Sequence, residues 1–117
     1  MSRIRIIIAD DHPVVRDGLC GMLESQPDFE VVGEAADGEA TLRLANELLP
    51  DLILMDLRMP VVDGASATRQ IKSRQPGVQI LVLTTYDSDA DILPAIEAGA
   101  TGYLLKDTSR EELYRAI

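Results

Sequence analysis

The stretch from Asp51 to Gly64, Asp-Leu-Ile-Leu-Met-Asp-Leu-Arg-Met-Pro-Val-Val-Asp-Gly, constrains the fold more than any other part of the chain. Its apolar residues 52–55 run without a polar break, which is typical of a strand buried on both faces of a parallel sheet. Pro60 cannot continue a central strand and Gly64 permits a sharp turn, so we predict that the strand ends near Asp56. Asp56 should then lie at the carboxyl edge of the sheet, where open α/β folds bind their ligands.

Four other segments have the composition of strands, and helical patterns separate all five. The other predicted strands are residues 4–9, 30–35, 79–84 and 102–106. The predicted helices begin near Pro13, Asp37, Gly64, Asp89 and Ser109. Strands that alternate with helices predict an α/β fold, a doubly wound five-stranded parallel sheet with helices on both faces.

Individual residues in the fourth and fifth predicted helices indicate where these helices begin, bend or end. Pro94 lies inside the fourth, so we expect that helix to start late or to bend, and Gly99 should end it. Ser109 and Glu112 have capping-box spacing at the start of the fifth helix. A final helix this short is marginal, which predicts that the natural polypeptide continues beyond Ile117.

The composition excludes several classes of protein. The 117 residues are enough for one domain with a real core. A net charge of -9 argues against nucleic-acid or anionic-membrane binding by this segment, because both need basic patches. No apolar run approaches the ~20 residues of a membrane span, and no signal-peptide pattern precedes the first strand, so we expect a cytoplasmic protein.

Side chains suited to chemistry lie at or just after the carboxyl ends of four predicted strands. They are Asp10 with Asp11, then Asp56, Thr84 and Lys106. Parallel strands place all of these on one rim, where the close carboxylates must share a cation or take up protons. Oxygen ligands in a partly open site suit Mg²⁺, and a hydroxyl with a lysine suits a phosphoryl group. A carboxylate in such surroundings can act as a nucleophile toward phosphate.

Each of these residues alone is more often structural or solvated, and the prediction depends on the joint pattern. His12, beside the acid pair, could be a metal ligand or a base, but a single His favours a surface residue at a helix start. The chain has no G-x-G-x-x-G or G-x-x-x-x-G-K-[ST] phosphate loop that would compete for the function.

The whole chain resembles the receiver domains of bacterial two-component response regulators. The Asp10-Asp11 pair, Asp56 with Met59-Pro60, and Lys106 after Gly-Tyr fall on that family's motif. The strings Ala-Asp-Asp-His-Pro-Val-Val-Arg-Asp-Gly-Leu and Gly-Tyr-Leu-Leu-Lys-Asp are similar to the NarL/FixJ (LuxR-type) subfamily. The resemblance implies a flavodoxin-like fold with strand order 2-1-3-4-5.

The resemblance also implies roles for the acidic residues. Asp56 would be the phosphoacceptor. Asp11 and Asp56 would bind Mg²⁺ or Mn²⁺ together with the Arg58 backbone carbonyl, and Asp10 would assist through water.

Three further residues receive roles from the same resemblance. Thr84 and Lys106 would bind the phosphoryl oxygens, and Tyr103 would be the switch aromatic. The implied partner is a sensor histidine kinase, and phosphorylation would switch the face made by helix 4, strand 5 and helix 5. Members of the subfamily form phosphorylation-linked dimers and bind DNA through a helix-turn-helix domain that this chain lacks.

Alternative functions remain open at this point. A phosphohydrolase or mutase could use an aspartyl-phosphate, but such enzymes usually place a second acid where this chain has Arg58. A phosphate-independent interaction module would not need the acid set and Lys106, and a single-domain regulator would lack DNA output. We expect a signalling switch rather than an enzyme with turnover. Many receivers have a cis proline after the lysine, but this chain has Asp107; a non-proline cis bond costs about 2.5–4 kcal/mol, which favours a trans link without deciding between the two.

Overall fold

The computed structural model describes residues 3–84, 89–106 and 108–117. Within these residues, five strands alternate with five helices. The strands are β1 (Ile4–Ala9), β2 (Phe29–Ala35), β3 (Leu52–Met55), β4 (Gln79–Thr84) and β5 (Gly102–Leu105). The helices are α1 (Pro13–Glu24), α2 (Gly38–Leu48), α3 (Gly64–Arg74), α4 (Asp89–Glu97) and α5 (Arg110–Ala116).

The sheet is parallel throughout, in the order β2-β1-β3-β4-β5. This confirms both the α/β class and the strand order that the resemblance implied. The predicted strand boundaries hold to within one residue, and β3 ends at Met55, directly before Asp56. Asp107, on which the favoured trans link depends, lies outside the described residues.

Among the helices whose starts are described, α2, α3 and α5 begin with a side-chain cap. Asp37 accepts a hydrogen bond from Ala40 N at the start of α2, as its sequence position predicted. Ser109 accepts one from Glu112 N at α5, which confirms one half of the capping box. The other half is absent from this helix start, because the Glu112 carboxylate accepts a hydrogen bond from the Thr108 hydroxyl instead.

Helix α4 tolerates its proline and ends at a glycine. We expected α4 to start late or to bend; it begins at Asp89 with Pro94 as its sixth residue, so it does not start late, and the bend stays a prediction. Gly99 has a φ of 113°, and Ala100 N donates to Ala95 O while Gly99 N donates to Ile96 O. This pair of bonds is the Schellman ending that Gly99 predicted, and it satisfies carbonyls that the helix end would leave open.

Alternate strand residues fill the two faces of the sheet. Ile6 and Ile8 contribute to a core cluster with residues of α1 and α5, whereas Ile7 and Ala9 contribute to the cluster beneath α2 and α3. A smaller cluster beneath α4 contains Leu57, Val82, Ile92 and Ala95. Among the described helices, none is long and apolar enough to cross a membrane.

Candidate functional site

The two central strands deliver a carboxylate each to the same point of the rim. Ala9 and Met55 are register partners in neighbouring parallel strands, so Asp10 and Asp56 leave the sheet side by side. Asp56 N donates to Ala9 O at 2.9 Å, which keeps the two strands paired to this level. Asp10 and Asp56 are only 2% and 3% exposed, and two carboxylates this buried need compensating groups.

Lys106 supplies one compensating charge from the end of β5. Its Nζ lies 2.6 Å from Asp10 Oδ2 and 3.3 Å from Asp56 Oδ2. Its backbone N donates to Thr84 O at 2.9 Å, which extends the pairing of β4 and β5 to the rim. The predicted meeting of Asp10, Asp56 and Lys106 is therefore present in the structure.

The electrostatics of this group are unfavourable for a charged Asp56. Burial raises the pKa of Asp56, and although the Lys106 charge opposes the shift, the nearby Asp10 and Asp11 charges add to it. Burial alone would lower the pKa of Lys106. Its hydrogen bond to Asp10 and the charges of both aspartates outweigh burial, so the pKa of Lys106 is raised. The rim carries excess negative charge that a cation would relieve.

Two carboxylate oxygens at the rim are buried without a hydrogen-bond partner among the described residues, Asp11 Oδ1 and Asp56 Oδ1. Leaving a buried acceptor unsatisfied costs about 1–3 kcal/mol, and more for a charged group. Ligand atoms from Asp10, Asp11, His12 and Asp56 all lie within 4.8 Å of one another. Unsatisfied carboxylate oxygens at this spacing fit a divalent cation such as Mg²⁺.

Arg16 supports the acid pair, a role that we did not predict from the sequence. Its Nη1 donates to the Asp10 carbonyl oxygen at 2.6 Å, and its Nε lies 3.8 Å from Glu34 Oε1. The guanidinium therefore fixes the backbone where β1 turns into the acid pair. The available signal was an arginine in the first turn and a half of the helix that follows the acids.

His12 is exposed, as predicted, but its ring faces the carboxylates. The side chain is 65% exposed, and Nδ1 lies 3.1 Å from Asp10 Oδ1 and 3.0 Å from Asp11 Oδ1. The His12 backbone N donates to Asp10 Oδ1 at 2.8 Å, so the residue is anchored at the start of α1. The sequence alone did not reveal this orientation.

The loop after Asp56 is held by glycines that allow close backbone approach. A Cβ on Gly64 would overlap the Asp56 carbonyl oxygen, and one on Gly38 would overlap the Val62 carbonyl oxygen. Neither glycine has a positive φ, so the turn that we expected at Gly64 is explained by packing rather than by left-handed backbone. These two contacts tie the loop to β3 and to the start of α2.

One residue of this loop is strained. Val61 has a φ of 70°, an unusual conformation for a β-branched residue, and Val62 N donates to Pro60 O across it. The Val61 side chain is exposed, so its strain is not offset by burial of that side chain.

The remaining predicted residues occupy the β4–β5 side and the loop. Thr84 ends β4 and is fully buried, whereas Tyr103 in β5 is 47% exposed. The register pairs Tyr103 with Val82, and Thr84 with Leu105. Val82 and Thr84 are two residues apart in β4 and therefore share a face of the sheet, so Tyr103 lies on the face of Thr84, at the level of Val82. Arg58 lies two residues after Asp56 with an exposed side chain, and its carbonyl role stays a prediction.

Comparison with known proteins gives consistent matches across the chain. The family model for the response regulator receiver domain matches residues 6–117. The transcriptional regulatory protein LiaR of Bacillus subtilis is 51% identical over 114 residues, which are 97% of this chain and 54% of LiaR. The response regulator VraR of Staphylococcus aureus is 44% identical over 97% of this chain and 54% of its own length. The chain thus spans about half the length of these relatives.

Solved structures agree with the fold and the family. The signal receiver domain of a NarL response regulator from Mycobacterium tuberculosis has a TM-score of 0.94 at 38% identity, covering 99% of this chain and 94% of that one. A LuxR-family response regulator from Aurantimonas has a TM-score of 0.91 at 42% identity, covering 98% and 82%. This chain belongs to the response regulator receiver domain family, and it is similar to the NarL and LuxR type within it.

Proposed function

We propose that the chain is a phosphorylation-activated switch that accepts a phosphoryl group on Asp56 from a sensor histidine kinase. The observation that carries this proposal is the state of the Asp56 carboxylate. Its Oδ2 faces Lys106, while its Oδ1 is buried without a hydrogen-bond partner in the described part of the chain. An unsatisfied oxygen beside a lysine is suited to act as a nucleophile.

In the proposed phosphoryl transfer, the bond that forms to phosphorus is matched by one that breaks. A carboxylate oxygen of Asp56 forms a bond to phosphorus, the bond from phosphorus to the donor's imidazole nitrogen breaks, and the electron pair stays on that nitrogen. Lys106 Nζ and the Thr84 hydroxyl bind oxygens of the transferred group. Later attack by water on phosphorus releases phosphate and restores the carboxylate. Each chain carries one phosphoryl group, so we propose a switch rather than an enzyme with turnover.

The proposal includes a divalent cation because the carboxylates at the rim are spaced to bind one. Asp11 and Asp56 would hold Mg²⁺ together with the Arg58 carbonyl, and Asp10 would assist through water. When bound, Mg²⁺ supplies positive charge that lets the carboxylates and the phosphoryl oxygens share one site. Arg16 and Gly64 keep the backbone of Asp10 and Asp56 in place for it.

The proposed output surface consists of exposed apolar residues on α4 and β5. Leu93 and Ile96 on α4 and Tyr103 on β5 are exposed large apolar residues. We propose that phosphorylation draws the Thr84 hydroxyl toward the rim and that Tyr103 turns inward, which changes the face made by α4, β5 and α5. A second copy of the chain would then dock on this face.

The relatives support an output through DNA. LiaR is named a transcriptional regulatory protein and VraR a response regulator, and this chain spans about half of the length of each. We propose that a DNA-binding domain follows the receiver in the natural protein. The receiver itself, with a net charge of -9, is poorly suited to bind phosphate backbones.

Intact-mass measurement tests the acceptor. Wild type, Asp56→Asn and Asp17→Asn are incubated with acetyl phosphate and Mg²⁺, where Asp17 is an exposed acid of α1 and serves as the matched control. Wild type and Asp17→Asn should gain one phosphoryl mass, and Asp56→Asn should gain none. A gain in Asp56→Asn equal to that of wild type would disprove the assignment.

A further inference from the structure

We propose that His12 adds an imidazole ligand to the cation site of Asp10, Asp11 and Asp56, so that the site favours nitrogen-binding transition ions over Mg²⁺. The class of ion is first-row divalent metals such as Co²⁺, Ni²⁺ and Zn²⁺. The inference rests on the proposed cation site but goes beyond it, since it assigns a fourth side chain and a metal preference.

The geometry of the ring is the first support. Nδ1 of His12 lies 3.0 Å from Asp11 Oδ1 and 3.1 Å from Asp10 Oδ1, and it falls within 4.8 Å of an Asp56 ligand atom. Nδ1 makes a hydrogen-bond contact with Asp10 Oδ1 and an ion-pair contact with Asp11 Oδ1, and Asp11 Oδ1 has no hydrogen-bond partner among the described residues. The ring nitrogen and the carboxylate oxygens are thus spaced as ligands of one ion would be, and an ion bound there would take the place of the proton in these contacts.

An independent observation points to a ligand at the same place. Asp56 is 3% exposed, and its Oδ1 has no partner in the described structure. Lys106 already contacts the opposite oxygen, Asp56 Oδ2, and therefore does not satisfy Oδ1. The acids thus lie beside a carboxylate oxygen that Lys106 leaves unsatisfied, and His12, which is mostly exposed, places a ligand atom in the same group.

The anchoring of His12 permits this role. Its backbone N is fixed by Asp10 Oδ1, and Pro13 follows as the first residue of α1, so the residue cannot drift from the rim. The ring itself is mostly solvent-exposed and is not locked by core packing. Ions can therefore reach Nδ1 from solvent without disturbing the core.

Ligand chemistry predicts the preference. Mg²⁺ prefers oxygen ligands and keeps waters, so an imidazole adds little to its binding. Co²⁺, Ni²⁺ and Zn²⁺ bind carboxylates and also imidazole nitrogen, so His12 should strengthen their binding selectively. Carboxylates of Asp10, Asp11 and Asp56 would remain common to both classes of ion.

Two measurements test the inference on tag-free protein in a buffer without nitrogen ligands. Calorimetric titration with Co²⁺ alone and with Mg²⁺ alone compares wild type, His12→Asn and the control Asp17→Asn. The Co²⁺ affinity of His12→Asn should fall about tenfold or more relative to its Mg²⁺ affinity, because even the loss of a residue that only orients a ligand typically costs about 10–100-fold in metal affinity. An equal fall for both ions would show that His12 only positions the carboxylates and would overturn the proposal.

The second measurement needs no variant. His12 is the chain's one histidine, so imidazole nitrogen coupling in the pulsed electron paramagnetic resonance of Cu²⁺-loaded wild type must come from it. We expect this coupling at one equivalent of Cu²⁺, and its absence would overturn the proposal. Failure of the proposed function would instead appear as missing Asp56 phosphorylation in Mg²⁺, which is measured separately.

Discussion

The acid side of the sheet, formed by β1, β3 and their carboxyl ends, differs sharply from the output side, formed by α4 and β5. All four residues of β3 and the last four of β1 are buried, whereas none of the four residues of β5 is. The acid side also carries backbone contacts too close for a Cβ, at Gly64 and Gly38. The phosphoryl chemistry is thus proposed for the tightly packed side.

The two sides also differ in how their helices are supported. Helix α4 packs over a small cluster and contains Pro94, which removes one helical hydrogen bond and clashes with the turn before it. Helices α1, α2, α3 and α5 cover the two large clusters of the sheet. A weakly supported helix with exposed Leu93 and Ile96 can move at lower cost than these.

The difference teaches how a local chemical change could reach a partner. In the proposed switch, the tightly packed acid side would keep Asp56 and its neighbours in reacting geometry in both states. The surface beside it would exist in two arrangements, and the proposed phosphoryl group on Asp56 would shift their populations by stabilising one more than the other. Lys106 joins the two sides, since it follows β5 and contacts Asp10 and Asp56.

The largest expected effect comes from breaking that link with Lys106→Met. Two buried carboxylates would lose their lysine, and removing one partner of a buried ion pair costs about 3–5 kcal/mol. Urea unfolding without divalent ions measures this loss. The control Arg43→Met, at an exposed position of α2, should change stability by less than about 0.5 kcal/mol. Equal losses in the two variants would show that Lys106 does not hold the sides together.

A smaller loss is expected from Gly64→Ala, which tests the tight packing of the acid side. Its Cβ would overlap the Asp56 carbonyl oxygen, and such overpacking costs about 1–3 kcal/mol. Gly21→Ala in α1 is the matched control, because open space surrounds that position and alanine favours helix by about 1 kcal/mol. The thermal midpoint should fall in the first variant and rise in the second. A rise in both would contradict the proposed constraint on the loop.

The smallest effect is a gain of a few degrees in melting temperature for metal-free Asp56→Asn at neutral pH. Because the pKa of Asp56 is raised above its ordinary value of 3.8, the folded protein binds that proton more tightly than the unfolded chain. The wild-type free energy of unfolding therefore falls as pH rises from 3.8 through the raised pKa. The advantage of Asp56→Asn should grow over that window and then level off. An advantage that is independent of pH would rule out Asp56 charge as its cause.

The sequence predicted best what depends on strand position. The apolar run 52–55 and the β-branched run 4–9 identify buried parallel strands, and such strands necessarily bring Asp10 and Asp56 to one edge. The sequence could not show the course of long side chains. The reach of Arg16 back to the Asp10 carbonyl and the inward turn of the His12 ring depend on rotamers that the fold selects.

Backbone detail was also beyond sequence patterns. Gly64 suggested a turn that needs special dihedral angles, but its actual role is to let the chain pass the Asp56 carbonyl. Val61 carries a positive φ that no propensity would predict for a β-branched residue. Pro94 suggested that α4 starts late or bends, yet the helix extends five residues before it; Ile92 and Ala95 are buried there, and tertiary packing of this kind can outweigh a local helix cost.

Amide hydrogen exchange with and without beryllofluoride and Mg²⁺ tests most directly whether the acid side signals through the output side. The fluoride complex mimics a phosphoryl group on Asp56 without hydrolysing. Protection should change most in residues 89–106, which contain α4 and β5, while α2 (Gly38–Leu48) should change little. Changes confined to α2, with none in residues 89–106, would contradict the account.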